Sequence, residues 1–209
     1  YRRMMSRIDF DPAEIGHGQF YSLLTSVVVP RPIAWVSTRS ADGTDNLAPH
    51  SFFTVSSCDP PIVQFTSIGH KDSLRNVQAT GEFVVSLAPA PLKTEVNATG
   101  TDFPSDISEF DAVGLEREPS LRVGPPRVAA SPVALECTLQ TIVSFGRDTV
   151  VMGRVVHAAV SETALRDGRP AIDLLKPISR LGANEWGHLG EIEKINRIAY
   201  RDWPGASPE

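Results

Sequence analysis

Apolar and polar positions alternate most cleanly between residues 133 and 144. Val133, Leu135, Cys137, Leu139, Thr141 and Val143 fall on one side, and Ala134, Glu136, Thr138, Gln140, Ile142 and Ser144 on the other. A period of two predicts a strand with one wet face. The segment "TVVMGRVVHAAV" then predicts the second arm of a hairpin, turning at "FGRD". Upstream, Ile33 to Thr38, Ile62 to Ser67 and "EFVVSLA" read as strands. "NLAPHSFFTVSS" reads as one extended segment kinked at Pro49. "SADGTDN", centred on Asp42-Gly43, and "DPP" are breaks. Pro30-Arg31-Pro32 closes an early apolar segment and marks a strand start or a stiff loop.

Helical spacing is scarcer. Asp72 to about Ala79 predicts a helix, with Leu74 and Val77 on one face and Gly81 as its stop. Residues 91–99 and 105–113 read as helix or loop, "PPRVAASP" as a proline-rich connection, and "PISRLGANEWGHL" as a polar and aromatic loop. About six strands without regular strand–helix alternation predict a mainly β fold, an antiparallel barrel or sandwich with helical insertions.

Composition narrows the function. The chain has 209 residues and a formal net charge of −5, which argues against a nucleic-acid or membrane-surface binder. No apolar run approaches membrane-spanning length. The opening "YRRMMSRIDF" lacks the apolar centre of a signal peptide, and "RDWPGASPE" has the composition of a frayed end. Cys58 and Cys137 lie far apart in β-like stretches, which predicts two small buried residues in a reducing, cytoplasmic compartment.

Catalytic signatures are sparse. The chain contains no G-x-G-x-x-G, Walker A or G-x-S-x-G sequence. Histidines 17, 50, 70, 157 and 188 show no metal-ligand spacing, so neither metal ligands nor catalytic side chains are expected, and His157 reads as structural. A cofactor can carry a reaction where side chains do not. "HKDSLRN", residues 70–76, follows the strand "PIVQFTS" and opens a helix. Free N–H groups at a helix start hold anions, and a lysine and a serine beside them suit a phosphate. Asp72 or Ser73 as a plain helix cap is the competing reading.

The ordered set "VVPRPIAWVST", "DGTDNLAPHSFF", "DPPIVQFTS", "KDSLRNVQATGEFVVSL", "SPVALECTL" and "ISRLG" resembles the flavin reductase-like, FMN-binding split-barrel proteins. The resemblance runs from about Phe10 to Trp186. It implies a single domain over 1–209, with a core at about 10–186 and a C-terminal extension at 187–209. It further implies a Greek-key split β-barrel and a homodimer holding a flavin near its interface. The cofactor implied is FMN, with FAD as the alternative, and NAD(P)H is the co-substrate. A flavin-dependent monooxygenase is the candidate partner.

Carried onto this sequence, the resemblance implies cofactor contacts from Thr38, backbone groups of Asn46, Leu47 and Ala48 near the ring, and Ser51 and Phe52 beside the ring or the ribityl chain. Phe65, Thr66 and Ser67 would continue the wall, and Lys71, Ser73 and Asn76 would meet the phosphate. Such a division suits a ligand with flat apolar faces, a polar edge and an anionic end. Plainer roles stand beside these. Asn46 could complete a turn, Lys71 could be a solvated surface residue, and one of Phe52 and Phe53 belongs to the core. His50, Arg180 and Trp186 are left without a role. Gly69 is expected to let the short link Ile68-Gly69-His70 turn toward Lys71. Three functions remain open at this point: an NAD(P)H-dependent flavin reductase, a flavin-binding electron carrier, and a binder of another anionic cofactor such as pyridoxal phosphate.

Overall fold

The structure, a computed structural model, describes residues 6–204. The ends on which the leader and tail readings partly rest, residues 1–5 and 205–209, lie outside the described residues. One antiparallel sheet dominates. Its strands are β1 (Ala34–Arg39), β2 (Asp45–His50), β3 (Phe53–Cys58), β4 (Pro61–Ile68), β5 (Glu82–Leu87), β6 (Val133–Phe145) and β7 (Asp148–Val160). Their order across the sheet is β2-β1-β5-β6-β7-β4-β3.

The first and last strands of that order are consecutive in the chain. "NLAPHSFFTVSS" is therefore two strands, parted at Ser51 and Phe52, and they occupy opposite edges of the sheet. The sheet curls until β2 comes near β4, and a side chain spans the seam: His50 Nδ1 lies 3.3 Å from the carbonyl of Thr66. That is a split barrel, as expected.

The barrel interior holds Ala34, Val36, Val63, Phe65, Phe83, Val85 and Val151. Helix α2 (Asp72–Thr80) plugs it with Leu74 and Val77, the pair that predicted the helix. Gly153 is required by the packing here, because a Cβ at that position would lie 2.2 Å from Cζ of Phe83. A second core lies on the other side of β1. Ile33, Trp35 and Leu47 pack there against Val96, Phe110, Val128 and Ile178. β1 is thus buried on both faces. The helices over this second core, α3 (Lys93–Ala98) and α4 (Glu109–Val113), fall in the two regions read as helix or loop.

The hairpin β6–β7 forms as predicted, with Phe145 paired to Asp148. Its faces differ from the prediction in two ways. A register shift near Met152 and Gly153 leaves an extra residue, Gln140, on β6. One extra residue reverses the faces of a strand. Ile142 therefore packs against the barrel core, while Val143 is exposed. The face expected to be wet is also covered at its start, where Ala134 and Glu136 are buried.

Glu136 is wholly buried and ion-paired to Arg127, at 2.5 Å, and it accepts the N–H groups of Leu121 and Arg122. Burial alone would raise its pKa, but these donors overrule it and hold the carboxyl below its ordinary value.

Three further findings depart from the sequence reading. The early apolar segment forms helix α1, eleven residues at His17–Val27. Cys137 is buried but Cys58 is exposed, because it ends the edge strand β3. The loop "PISRLGANEWGHL" contains a small hairpin: Ser179–Arg180 pairs with Trp186–Gly187 and with Arg31–Pro32.

Candidate functional site

A cavity of about 240 Å³ opens where β2, the bend at Ser51-Phe52, the end of β4 and the start of α2 converge. Asn46, Ala48, Ser51 and Phe52 line one side of it. Thr66, Lys71 and Ser73 line the other. Seven of the twelve residues expected at the cofactor thus meet around one space. Their union follows from topology: β2 and β4 are neighbours only because the barrel curls.

The other five stand behind this wall. Leu47 and Phe65 have no exposed surface and belong to the two cores. Ser67 is buried and donates to the carbonyl of Gly69 at 2.8 Å. Gly69 itself takes φ 77°, the left-handed conformation that the short link needs. Thr38 and Asn76 are buried and join a hydrogen-bond chain. Asn76 Nδ2 donates to Thr38 Oγ1 at 3.1 Å, and Thr38 donates to Asn46 Oδ1 at 3.3 Å. Asn46 Nδ2 in turn donates to both carboxylate oxygens of Glu109, at 2.8 and 2.9 Å.

Glu109 escaped the sequence reading. It starts the short helix α4, next to the fully buried Phe110, and its carboxylate also accepts the backbone N–H of Leu47 at 2.8 Å. Burial raises its pKa, against the lowering effect of these hydrogen bonds. Only the pairing of residues 46 and 109 in space reveals the role; a glutamate in a weakly helical stretch carries no local signal.

His50 completes the wall. Its ring packs against Phe65, with centroids 4.7 Å apart. The Thr66 carbonyl can only accept, so Nδ1 carries the proton, and in a neutral ring Nε2 must accept. Ser73 Oγ lies 3.2 Å from Nε2 and is the donor to it. The same hydroxyl also lies 3.2 Å from Asn46 Oδ1, which has Thr38 as a second donor. Burial lowers the His50 pKa from 6.5 to about 4, opposed by the Thr66 carbonyl, so the ring is neutral near pH 7.

The start of α2 has the features that suit an anion. No side chain caps it, and Lys71 sits at the cap position. The cap reading of Asp72 and Ser73 therefore does not hold: Asp72 pairs with Arg75, and Ser73 serves the His50–Asn46 network. Lys71 Nζ contacts Asp102 at 2.6 Å in an exposed pair. Hydroxyls, a cation, a free helix start and the apolar Phe52 make a donor set that fits a flavin phosphate and ring.

Comparison with known proteins agrees with this geometry. Residues 26–175 match the model of the flavin reductase like domain. The chain belongs to that family. An uncharacterized protein of Deinococcus radiodurans is 38% identical, covering 95% of this chain and 93% of its own. Nitrilotriacetate monooxygenase component B from Bacillus cereus has 30% identity and a TM-score of 0.88, over 92% of this chain and all of that one. The 2-nitrobenzoate 2-nitroreductase of Pseudomonas fluorescens has 30% identity and a TM-score of 0.87, over 96% of this chain and all of that one. Among the described residues, no helix is long and apolar enough to cross a membrane, and no cluster of His, Cys, Asp and Glu could hold a metal ion.

Proposed function

We propose that this protein binds FMN in the cavity between β2 and α2 and is an NAD(P)H-dependent flavin reductase that supplies reduced flavin to an oxygenase. The observation that carries the reading is the uncapped start of α2, with Lys71 beside a cavity walled by Ser51, Phe52 and Thr66. The likeness to a protein named as a monooxygenase component supports the oxygenase partner.

Bound flavin would supply the hydride-accepting centre. The chain's own residues would bind and orient it. Lys71 and the α2 N–H groups would hold the phosphate, while Phe52 and Pro49 would give the ring apolar contact. The Asn76–Thr38–Asn46–Glu109 chain would fix the Asn46 amide at the pocket wall. Neutral His50 offers no proton to the pocket, since its single N–H is committed to Thr66. A cavity of about 240 Å³ covers only part of a flavin, which suits completion of the site by a second copy of the chain.

The test is direct. Purified protein with added FMN should show a bound-flavin spectrum and should oxidise NADH or NADPH in steady state. Bound FMN without NAD(P)H oxidation would make the protein an electron carrier instead, and absence of flavin binding would overturn the reading.

A further inference from the structure

A second cavity, of about 270 Å³, adjoins the first and shares Pro49, Ser51 and Gly100 with it. Its remaining lining includes Arg180, Trp186 and Asn97. Arg180 lies directly across the ladder from Arg31. Like charges placed opposite one another destabilise a sheet. Neither arginine forms an ion pair among the described residues.

Arg31 is buried and has only neutral partners. It donates to the carbonyls of Thr25, Val28 and Leu181, and its Nε lies 3.5 Å from Ser51 Oγ. Burial, and then the nearby charge of Arg180, hold its pKa below the ordinary value. Arg180 is oriented by stacking on Trp186, at 4.8 Å from the ring centroid, and it donates to the Ala183 carbonyl at 2.5 Å. One positive charge, Arg180, thus lines a space that adjoins the proposed flavin pocket, and a second, Arg31, lies behind it against Ser51, with no carboxylate ion-paired to either among the described residues.

We propose that this second cavity binds the oxyanion of the molecule that exchanges electrons with the flavin, with Arg180 and Ser51 as its direct contacts and Arg31 as the charge behind them. The inference rests on the flavin reading of the first cavity. Arg180 presents a planar fork that suits a carboxylate or a phosphate. Ser51 lies in both cavities, so a molecule anchored there extends toward the flavin pocket. Two sources share this chemistry: the pyrophosphate of a nicotinamide dinucleotide and the carboxylate of a small organic acceptor.

The experiment uses the FMN-loaded protein and two probes that do not reduce flavin, sodium benzoate and a tetrahydronicotinamide analogue of NADPH. Binding is followed by the change in flavin absorbance. The wild type should bind one of them. Arg180→Gln should weaken that probe ~10-fold or more, the loss of a charge-assisted hydrogen bond. Arg180→Lys should keep part of the affinity, and FMN affinity should be unchanged in both variants. A loss confined to benzoate identifies a carboxylate acceptor, and a loss confined to the analogue identifies the dinucleotide. Equal affinities in wild type and Arg180→Gln, or no binding of either probe to the wild type, would overturn the proposal. Should the wild type take up no FMN, the flavin reading itself fails. Calorimetric titration of the same probes into the flavin-free chain then decides the oxyanion cavity separately.

Discussion

The amide of Asn46 donates to both carboxylate oxygens of Glu109, 63 residues further along the chain. The contact joins β2 to α4 and fixes which end of the amide faces the carboxylate. Glu109→Gln replaces two acceptor oxygens by one and sets an NH₂ group against a donor. We expect it to destabilise the fold by ~1–3 kcal/mol, the cost of an unpaired buried polar group. Urea unfolding measures this, and an unchanged midpoint would show that the contact carries no stability.

Lys71 is the cation nearest the proposed phosphate. Its pair with Asp102 is exposed, and such pairs are worth ~0–1 kcal/mol, so a phosphate should displace the aspartate readily. Lys71→Ala should weaken FMN binding by ~1.5–3 kcal/mol. Asp102→Asn should leave the affinity equal or tighter. Isothermal titration of FMN into each variant checks both, and wild-type affinity in Lys71→Ala would remove the phosphate from this helix start.

His50 is predicted to carry its proton on Nδ1 and to take no essential part in proton transfer. Nitrogen NMR of the labelled ring reports the tautomer. General acid–base help typically contributes ~10²–10⁴-fold in rate. The pre-steady-state rate of flavin reduction by NAD(P)H in His50→Ala should therefore fall by far less, at equal flavin occupancy. A loss within that range would give His50 the role denied to it here.

Two groups, Glu136 and His50, lower stability in acid. The folded pKa of Glu136 is depressed below 4.5, so its contribution is present above that value and is lost as pH falls through the folded pKa. His50 titrates at about 4 when folded and at 6.5 when unfolded, so below pH 6.5 the unfolded state gains protons that the folded state refuses. Stability should fall with pH from 6.5 to about 4 for His50, and further below 4.5 for Glu136. Urea midpoints measured from about pH 3 to about pH 8 should lose the upper slope in His50→Ala. Glu136→Gln should cost ~1–3 kcal/mol at pH 7, because buried Arg127 would keep only the half-exposed Glu118, at 2.7 Å, as its ionic partner.

The helix His17–Val27 leaves Tyr21, Leu24 and Val27 exposed, and Val28 and Val29 follow in the same state. A continuous apolar edge of this kind beside a partly covered cavity leads us to expect a homodimer. Light scattering at micromolar concentration, with flavin present, should give twice the chain mass of 22.7 kDa. A monomeric mass would remove the partner from the site.

The sequence by itself determined what depends on neighbours in the chain. Alternation over 133–144 predicted β6, Leu74 and Val77 with Gly81 predicted α2, and the ordered motifs predicted the family and seven residues of the cavity wall. Tertiary structure decided what depends on closure. The strands that end at His50 and begin at Phe53 lie at opposite edges of the sheet, joined by only two residues because the barrel curls those edges together, a result no local period contains. The extra residue at Gln140 reverses the faces of β6, because a strand's side-chain period is two. Glu136, read as solvent-facing, is buried because residues 117–128 cover that face and bring Arg127 to it. Glu109 reaches Asn46, and Arg180 comes to lie opposite Arg31, only when segments 63 and about 150 residues apart are folded together, and polar partners so distant leave no pattern in the chain.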